Sequence, residues 1–235
     1  MTANDIIKEL KTLGSETYKN TLRNHGIQEP FYGVKIEYLK KYQKQIKKDY
    51  QLALDLYDTG IYDAMYLAGL IADDMQMTKK DLRHWANTAN CPMVCGYTVA
   101  WVAAESNHGW ELAQEWIDSK KEAIASAGWA TLTSLVAIKD DADLEIAELK
   151  KLLQRVEKTI HNAPNRVRSN MNSFVIAVGS YVKALSEFAQ QTAKKIGPVT
   201  VDMGNTACKV PFAPDYIQKA IKRGTLTKKR KSAKC

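Results

Sequence analysis

Apolar residues recur at helical spacing along nearly the whole chain, and this periodicity points to an all-α fold. In 34–50 the stripe is Leu39, Tyr42, Ile46 and Tyr50, with Lys35, Lys40, Lys41, Lys44, Lys47 and Lys48 on the remaining surface. In 141–161 it is Ile146, Leu149, Leu153, Val156 and Ile160. Acidic residues come early in that stretch and basic ones late, as the helix dipole prefers. Helices are also predicted over 61–75, 92–105, 109–117, 120–138 and 164–196, the last breaking near Gly179 and Ser180. Ser15 opens a helix that Gly26 closes, and Thr78 caps one that runs through Trp85. Asn162, Ala163 and Pro164 read as a cap followed by a proline in the first turn. Strand-like alternation is confined to 198–203. It lies within 197–214, which carries too many apolar residues for a floppy linker and is expected to be an ordered loop.

Short connections make successive helices antiparallel neighbours. Two helices and their turns recur about every 40 residues, the period of HEAT-like repeats. No internal sequence similarity accompanies the spacing, and a globular helical bundle is the alternative. The stretches 92–104 and 171–181 are apolar almost all round and are expected in an inner layer. A chain of 235 residues is long enough to bury one sizeable core. Residues 1–224 are expected to form one domain, and 225–235 a basic, disordered tail.

The charge balance narrows the partners. Lys and Arg total 34 and Asp and Glu 26, a net +8, and from 217 to 235 there are eight basic residues and no acidic one. Residues 101–150 sum to −6 and 151–200 to +6. A basic face beside an acidic flank takes a polyanion as its natural ligand, unless the Lys-rich tail serves only solubility. No segment reads as a clean membrane span, and residues 1–11 are charged without an apolar signal core, so no membrane partner and a cytoplasmic location are expected. Cys91, Cys95, Cys208 and Cys235 form neither a disulfide framework nor a set of zinc ligands. With no phosphate loop, GxSxG, HExxH or EF-hand, no metal and no cofactor is expected.

Two constellations carry chemical potential. Asn165, Arg166, Arg168, Asn170 and Asn172 gather at a predicted helix start, where guanidinium groups and free backbone N–H groups suit a phosphate. Alternatively these residues cap the helix and pair with the acidic region 101–150. Of the five tryptophans, Trp101, Trp110 and Trp116 are candidates to line a concave face and stack on bases. Tryptophan at helical spacing is more often core.

Several runs carry a family resemblance: Tyr97-Thr-Val-Ala-Trp-Val-Ala-Ala-Glu105, Ala127-Gly-Trp-Ala-Thr-Leu132, Ala163-Pro-Asn-Arg-Val-Arg168, Met171-Asn-Ser-Phe-Val-Ile-Ala-Val-Gly-Ser-Tyr181 and Val201-Asp-Met-Gly-Asn-Thr-Ala-Cys-Lys-Val-Pro211. Over about 14–224 the chain resembles the DNA alkylation repair family, the group around the AlkD-like alkylpurine DNA glycosylases. The resemblance implies a right-handed α-α superhelix, a solenoid of HEAT-like repeats with a basic concave surface that grips DNA. It also implies hydrolysis of the N-glycosidic bond of cationic alkylated purines. An Asp would stabilise the developing sugar cation, two Trp would pack on the lesion and an Arg would hold the backbone.

Those site residues do not carry over. The Asp position falls near 95–97, yet no carboxylate lies between Asp81 and Glu105. The Arg position falls near Ala127 or Gly128, the first Trp position near Pro92 and Met93, and the second near Phe174. Three readings remain. The first is a DNA-binding member of the family that contacts phosphates through Lys35, Arg166, Arg168, Asn172, Lys209, Lys219, Lys222 and Arg223. Tyr97, Trp101 and Phe174 are then its cleft aromatics. The second is a DNA glycosylase with a relocated carboxylate, drawn from Glu105, Asp202 and Asp215. The third is a protein-interaction scaffold.

Overall fold

The computed structural model describes residues 1–234, and all the regular structure among them is helical. No strand forms at 198–203. The chain divides into two compact units, although no change of composition marks the boundary. One comprises Met1–His108, Met203–Ala207 and Lys234, and the other Gly109–Asp202 and Cys208–Ala233.

The first unit contains α1 (Ala3–Leu13), α2 (Glu16–Asn24), α3 (Ile36–Ile46), α4 (Tyr50–Asp58), α5 (Tyr62–Ile71) and α6 (Lys79–Thr88). A π-helical segment, Val94–Val99, then runs into α7 (Ala100–Glu105). Thr2 and Thr78 close capping boxes with Asp5 and Asp81, each satisfying N–H groups of a first turn. The single stripe predicted over 34–50 is two helices. α3 ends where Lys47 takes φ 65, and Asp49 then caps α4 by accepting from Leu52 N. Tyr50 follows Ile46 at i+4, so the periodicity runs across the break and hides it.

Every residue of α5 is buried, and the helix packs against α3, α4 and the π-helical segment. Gly69 permits the last approach, since a Cβ there would lie 2.8 Å from Thr98 Cγ2 and 3.2 Å from its Cα. Asp63, also in α5, holds the extended lead into α3, with its carboxylate accepting from Tyr32 N (2.6 Å) and Val34 N (2.7 Å). Burial pushes the Asp63 carboxyl up, and these backbone donors pull it partly back.

The second unit contains α8 (Gly109–Ile117), α9 (Glu122–Ile138), α10 (Ile146–Thr159), α11 (Asn165–Tyr181), α12 (Ser186–Ile196) and α13 (Ala213–Lys222). α9 and α11 pack on each other as the inner pair. α8 lies on α9, α12 and α13 lie on α11, and α10 packs on α12. Trp129 of α9 and Phe174 of α11 meet edge to face, centroids 5.3 Å apart, in the centre of this core. Trp85, Trp101, Trp116 and Trp129 are all buried, and Trp110 is half-buried.

The helix predicted over 141–161 begins with a 3-10 turn at Asp141–Asp143, and its α-helical part starts at Ile146. The one predicted over 164–196 breaks after Tyr181 and resumes at Ser186. Pro164 sits at the N-cap position itself, one residue before the first turn. The loop beyond α12 is ordered through Val199 and Val201, both buried. α13 is absent from the sequence reading because only Ala213 and Ile217 on it are buried, too few to make a stripe.

The segment 225–234 differs from the expected disordered tail. Thr227 N donates to Ser180 O and Arg230 N to Ala137 O, both at 2.8 Å, and Ala233 is 1 % exposed. Lys229 lays its stem on the surface, pairs with Asp141 at 2.8 Å and donates to Val136 O. Cys235, the end of that predicted tail, lies outside the described residues. No helix among the described residues is long and apolar enough to cross a membrane.

Candidate nucleic-acid interface

The polar cluster at the start of α11 is mostly consumed by the fold. Arg168 donates to Ala163 O (2.9 Å) and Thr200 O (2.9 Å), fastening the loop after α12 to its own helix. Asn165 exchanges hydrogen bonds with the Asp202 backbone, donating to its O and accepting from its N. Asn170 donates to Ser126 of α9. Arg166 N, one of the free first-turn donors, is capped by the Glu122 carboxylate at 2.7 Å. The alternative reading, capping and pairing with the acidic region, covers the contacts of Arg166 N and Asn170, whereas Arg168 and Asn165 hold the loop after α12, which neither reading anticipated. The Arg166 side chain is the exception: the residue is partly exposed and makes no ion pair among the described residues.

Two of the residues assigned to the DNA surface are internal. Asn172 is 2 % exposed and donates to Pro211 O, so it holds the loop and cannot reach a phosphate. Phe174 is 0 % exposed beneath Trp129, so it belongs to the core and not to a cleft. Helix α11 is inner on most of its circumference, and that burial overrides the polar appearance of its first turns.

Of the three aromatics assigned to a cleft, Tyr97 is the exposed one. Tyr97 projects from the π-helical segment and is 44 % exposed. It leans on Trp101 with centroids 5.3 Å apart at 37°, and Trp101 meets Tyr66 edge-on at 5.6 Å. Trp101 itself is 4 % exposed and supports Tyr97 from below. A π-turn inserts one residue into the helix and re-aims the side chains after it, and such turns concentrate at functional sites. Beside Tyr97, a Cβ built on Gly96 would meet nothing within 4 Å. Burial pushes the Cys95 thiol up to about 12, so no anion arises from this turn at neutral pH.

Of the three candidate carboxylates, Glu105 is half-buried in the first unit and acts on Asp74, a buried aspartate that the sequence reading missed. Burial pushes the Asp74 carboxyl up and Glu105 adds to the rise. Lys234 (2.7 Å) and Lys48 (3.4 Å) oppose it. Glu105 is therefore part of a charged cluster of the first unit, eight residues beyond Tyr97, or about 12 Å along the helix. Asp202 and Asp215 are exposed in the second unit, the latter in the first turn of α13. Lys35 is exposed at the N-cap of α3, and Lys209, Lys219, Lys222 and Arg223 are exposed in the second unit. α13 brings Lys219, Lys222 and Arg223 together at its end, beside an exposed ring the sequence reading missed, Tyr216, over which Lys219 Nζ sits at 4.8 Å.

An all-helical chain with exposed cations fits a polyanion-binding class. Comparison with known proteins makes this specific. The chain belongs to the DNA alkylation repair enzyme family, whose model matches residues 6–203. A solved structure described as a member of a new family related to the HEAT-like repeat DNA glycosylases, with affinity for branched DNA structures, matches with a TM-score of 0.92. It shares 36 % identity, and 100 % of each chain is covered. The fold is thus the HEAT-like repeat fold. Two proteins of unassigned function are similar over 95 % of this chain and 99 % of their own length: Lmo0209 of Listeria monocytogenes at 32 % identity and Lin0241 of Listeria innocua at 31 %.

Proposed function

We propose that this protein binds branched or otherwise structured DNA without excising bases. The observation that carries this reading is the similarity, over the full length of both chains, to a structure whose protein has affinity for branched DNA. The residues agree with it. Lys35, Arg166, Lys209, Lys219, Lys222 and Arg223 offer sequence-independent phosphate contacts, which set affinity and make it salt-dependent. Arg168 serves by fastening the loop that carries Lys209. Tyr97 offers a flat, supported face at a position where the resemblance implies a carboxylate. A branch point exposes unstacked bases, and an aromatic face takes any base.

Fluorescence anisotropy with a four-way junction, a flapped duplex and a plain duplex of equal length tests this. The branched forms are expected to bind more tightly than the duplex, with affinity falling steeply between about 50 and 200 mM salt. Equal affinity for all three would refute the preference for branched DNA, and no binding at low salt would refute the reading as a whole and favour a protein scaffold.

A further inference from the structure

The second unit carries a cleft between the end of α11, the exposed face of α13 and the segment 225–230. Its walls include Tyr181, Tyr216, Thr225, Lys228, Lys229 and Arg230, and its volume is about 490 Å³. That falls within the roughly 300–1,000 Å³ range of small-ligand sites. The wall formed by 225–230 is fixed by the backbone bonds from Thr227 to Ser180 and from Arg230 to Ala137.

The lining has one sign of charge. Three cations face the cleft and no carboxylate lines it among the described residues. Lys229 is neutralised by Asp141. Lys228 and Arg230 are exposed and make no ion pair among the described residues. α13 contributes Tyr216 to the cleft, 46 % exposed, with Lys219 Nζ over one face of its ring at 4.8 Å. An exposed ring of this size in a cationic groove suits a ligand that is flat and anionic at once. Two unpaired cations alone would serve an acidic peptide equally well, but a peptide carboxylate has no use for the ring.

We propose that this cleft is a subsite for single-stranded nucleic acid, in which one base stacks on Tyr216 and the adjoining phosphates lie on Lys228 and Arg230. The inference rests on the DNA-binding reading above and deepens it by assigning a place for an unpaired strand. Stacking on one aromatic face is sequence-tolerant, so the subsite reads the absence of a partner strand and not the base.

The test uses the full chain and an oligothymidylate of about eight nucleotides carrying one 2-aminopurine, a length within the usual single-strand site sizes. A fully paired four-way junction is titrated in parallel. The wild type is expected to quench the 2-aminopurine saturably. Tyr216→Ala should abolish the quench and weaken oligonucleotide binding about tenfold, while Tyr216→Trp retains both. Lys228→Ala with Arg230→Ala should reduce the slope of log K against log salt by about 1.4, two single-strand phosphate contacts. Tyr216→Ala should still bind the junction, and circular dichroism checks that its helices remain. Unchanged quenching and affinity in Tyr216→Ala would overturn the subsite. A wild type that binds the junction but not the oligonucleotide would also overturn it and leave the broader reading standing. Oligonucleotide binding without junction binding would do the reverse.

Discussion

Phe174 and Tyr97 are both cleft aromatics in the reading of the sequence, and the structure gives them opposite exposures. Phe174→Ala deletes a ring that is fully enclosed and packed on Trp129. Truncating a buried phenylalanine costs about 3–5 kcal/mol, of which the edge-to-face contact accounts for about 0.5–1.5 kcal/mol. For a chain of this size each kcal/mol lowers Tm by about 2–4 °C, so the midpoint should fall by about 6–20 °C. Tyr97→Ala removes a ring that is nearly half exposed and touches Trp101 on one side, and it should cost about 1 kcal/mol. Binding should show the reverse order. At a temperature where both variants are folded, Tyr97→Ala is expected to weaken branched-DNA affinity at least about fivefold, the loss of one base–aromatic stack, and Phe174→Ala to leave it unchanged. Thermal denaturation followed by circular dichroism gives the first quantity and fluorescence anisotropy the second. A Phe174→Ala variant of undiminished stability with weakened DNA binding would refute the core assignment.

Other consequences come from named contacts. Arg168→Ala removes the bonds to the carbonyls of Ala163 and Thr200, the first part-buried and the second open to water, and should cost about 1–2 kcal/mol. Amide exchange should accelerate at 199–201, and Arg168→Lys should not restore protection because an ammonium lacks the fork that spans both carbonyls. In a Cys235→Ser background, Cys208 should react with a disulfide reagent in the native protein at pH 8. Cys91 and Cys95 should react only in denaturant, since burial raises both thiols, Cys95 to about 12. The folded pKa of Asp63 is raised above 3.8, so between that value and the folded pKa the native state holds more protons than the unfolded state. The Asp63 contribution to stability therefore falls as pH rises through that window. The denaturation midpoint of the wild type relative to that of Asp63→Asn should fall as pH rises above about 4, and a constant difference would contradict this.

The helices are legible wherever a stripe is long and a cap is present. Ser15 and Thr78 mark their helices, and Gly179 and Ser180 foreshadow the break after Tyr181. Periodicity fails where the signal is short or its register accidental: α13 has two buried residues, and Tyr50 carries the stripe of α3 across the Lys47 turn. The π-helical turn that sets Tyr97 outward leaves no trace, because its apolar residues keep near-helical spacing and the extra residue per turn is a backbone choice. Side-chain roles are less legible still. Arg166 and Arg168 share a helix turn and a charge, yet only the Arg168 guanidinium fastens a loop. Periodicity cannot separate them, since Arg168 is committed by carbonyls at Ala163 and Thr200, the second of them 32 residues away. Lys229 and Lys234 lie in a tail that composition marks as unstructured, and their partners, Asp141 and Asp74, are 88 and 160 residues distant.

Excision of a cationic purine needs little from a protein beyond negative charge on the sugar side and a placed water, because the base already leaves well. That economy makes the missing carboxylate decisive. The turn where it is implied presents a neutral buried thiol at Cys95, the bare backbone of Gly96 and a neutral phenol at Tyr97. A tyrosine face stabilises a cation by about 0.5–2 kcal/mol, at most about thirtyfold in rate, far below the millionfold and larger accelerations of enzymes. Glu105 stands about 12 Å along the helix and is engaged with the Asp74 cluster. A duplex containing N7-methylguanine, incubated at low salt with protein in excess, is therefore expected to release base at the spontaneous rate while bound. Release well above that rate would refute the argument, and Glu105→Gln, Asp202→Asn and Asp215→Asn would then show which carboxylate had taken over. With release at background, what the turn at 95–97 offers a bound nucleic acid is an exposed ring, Tyr97, supported by Trp101.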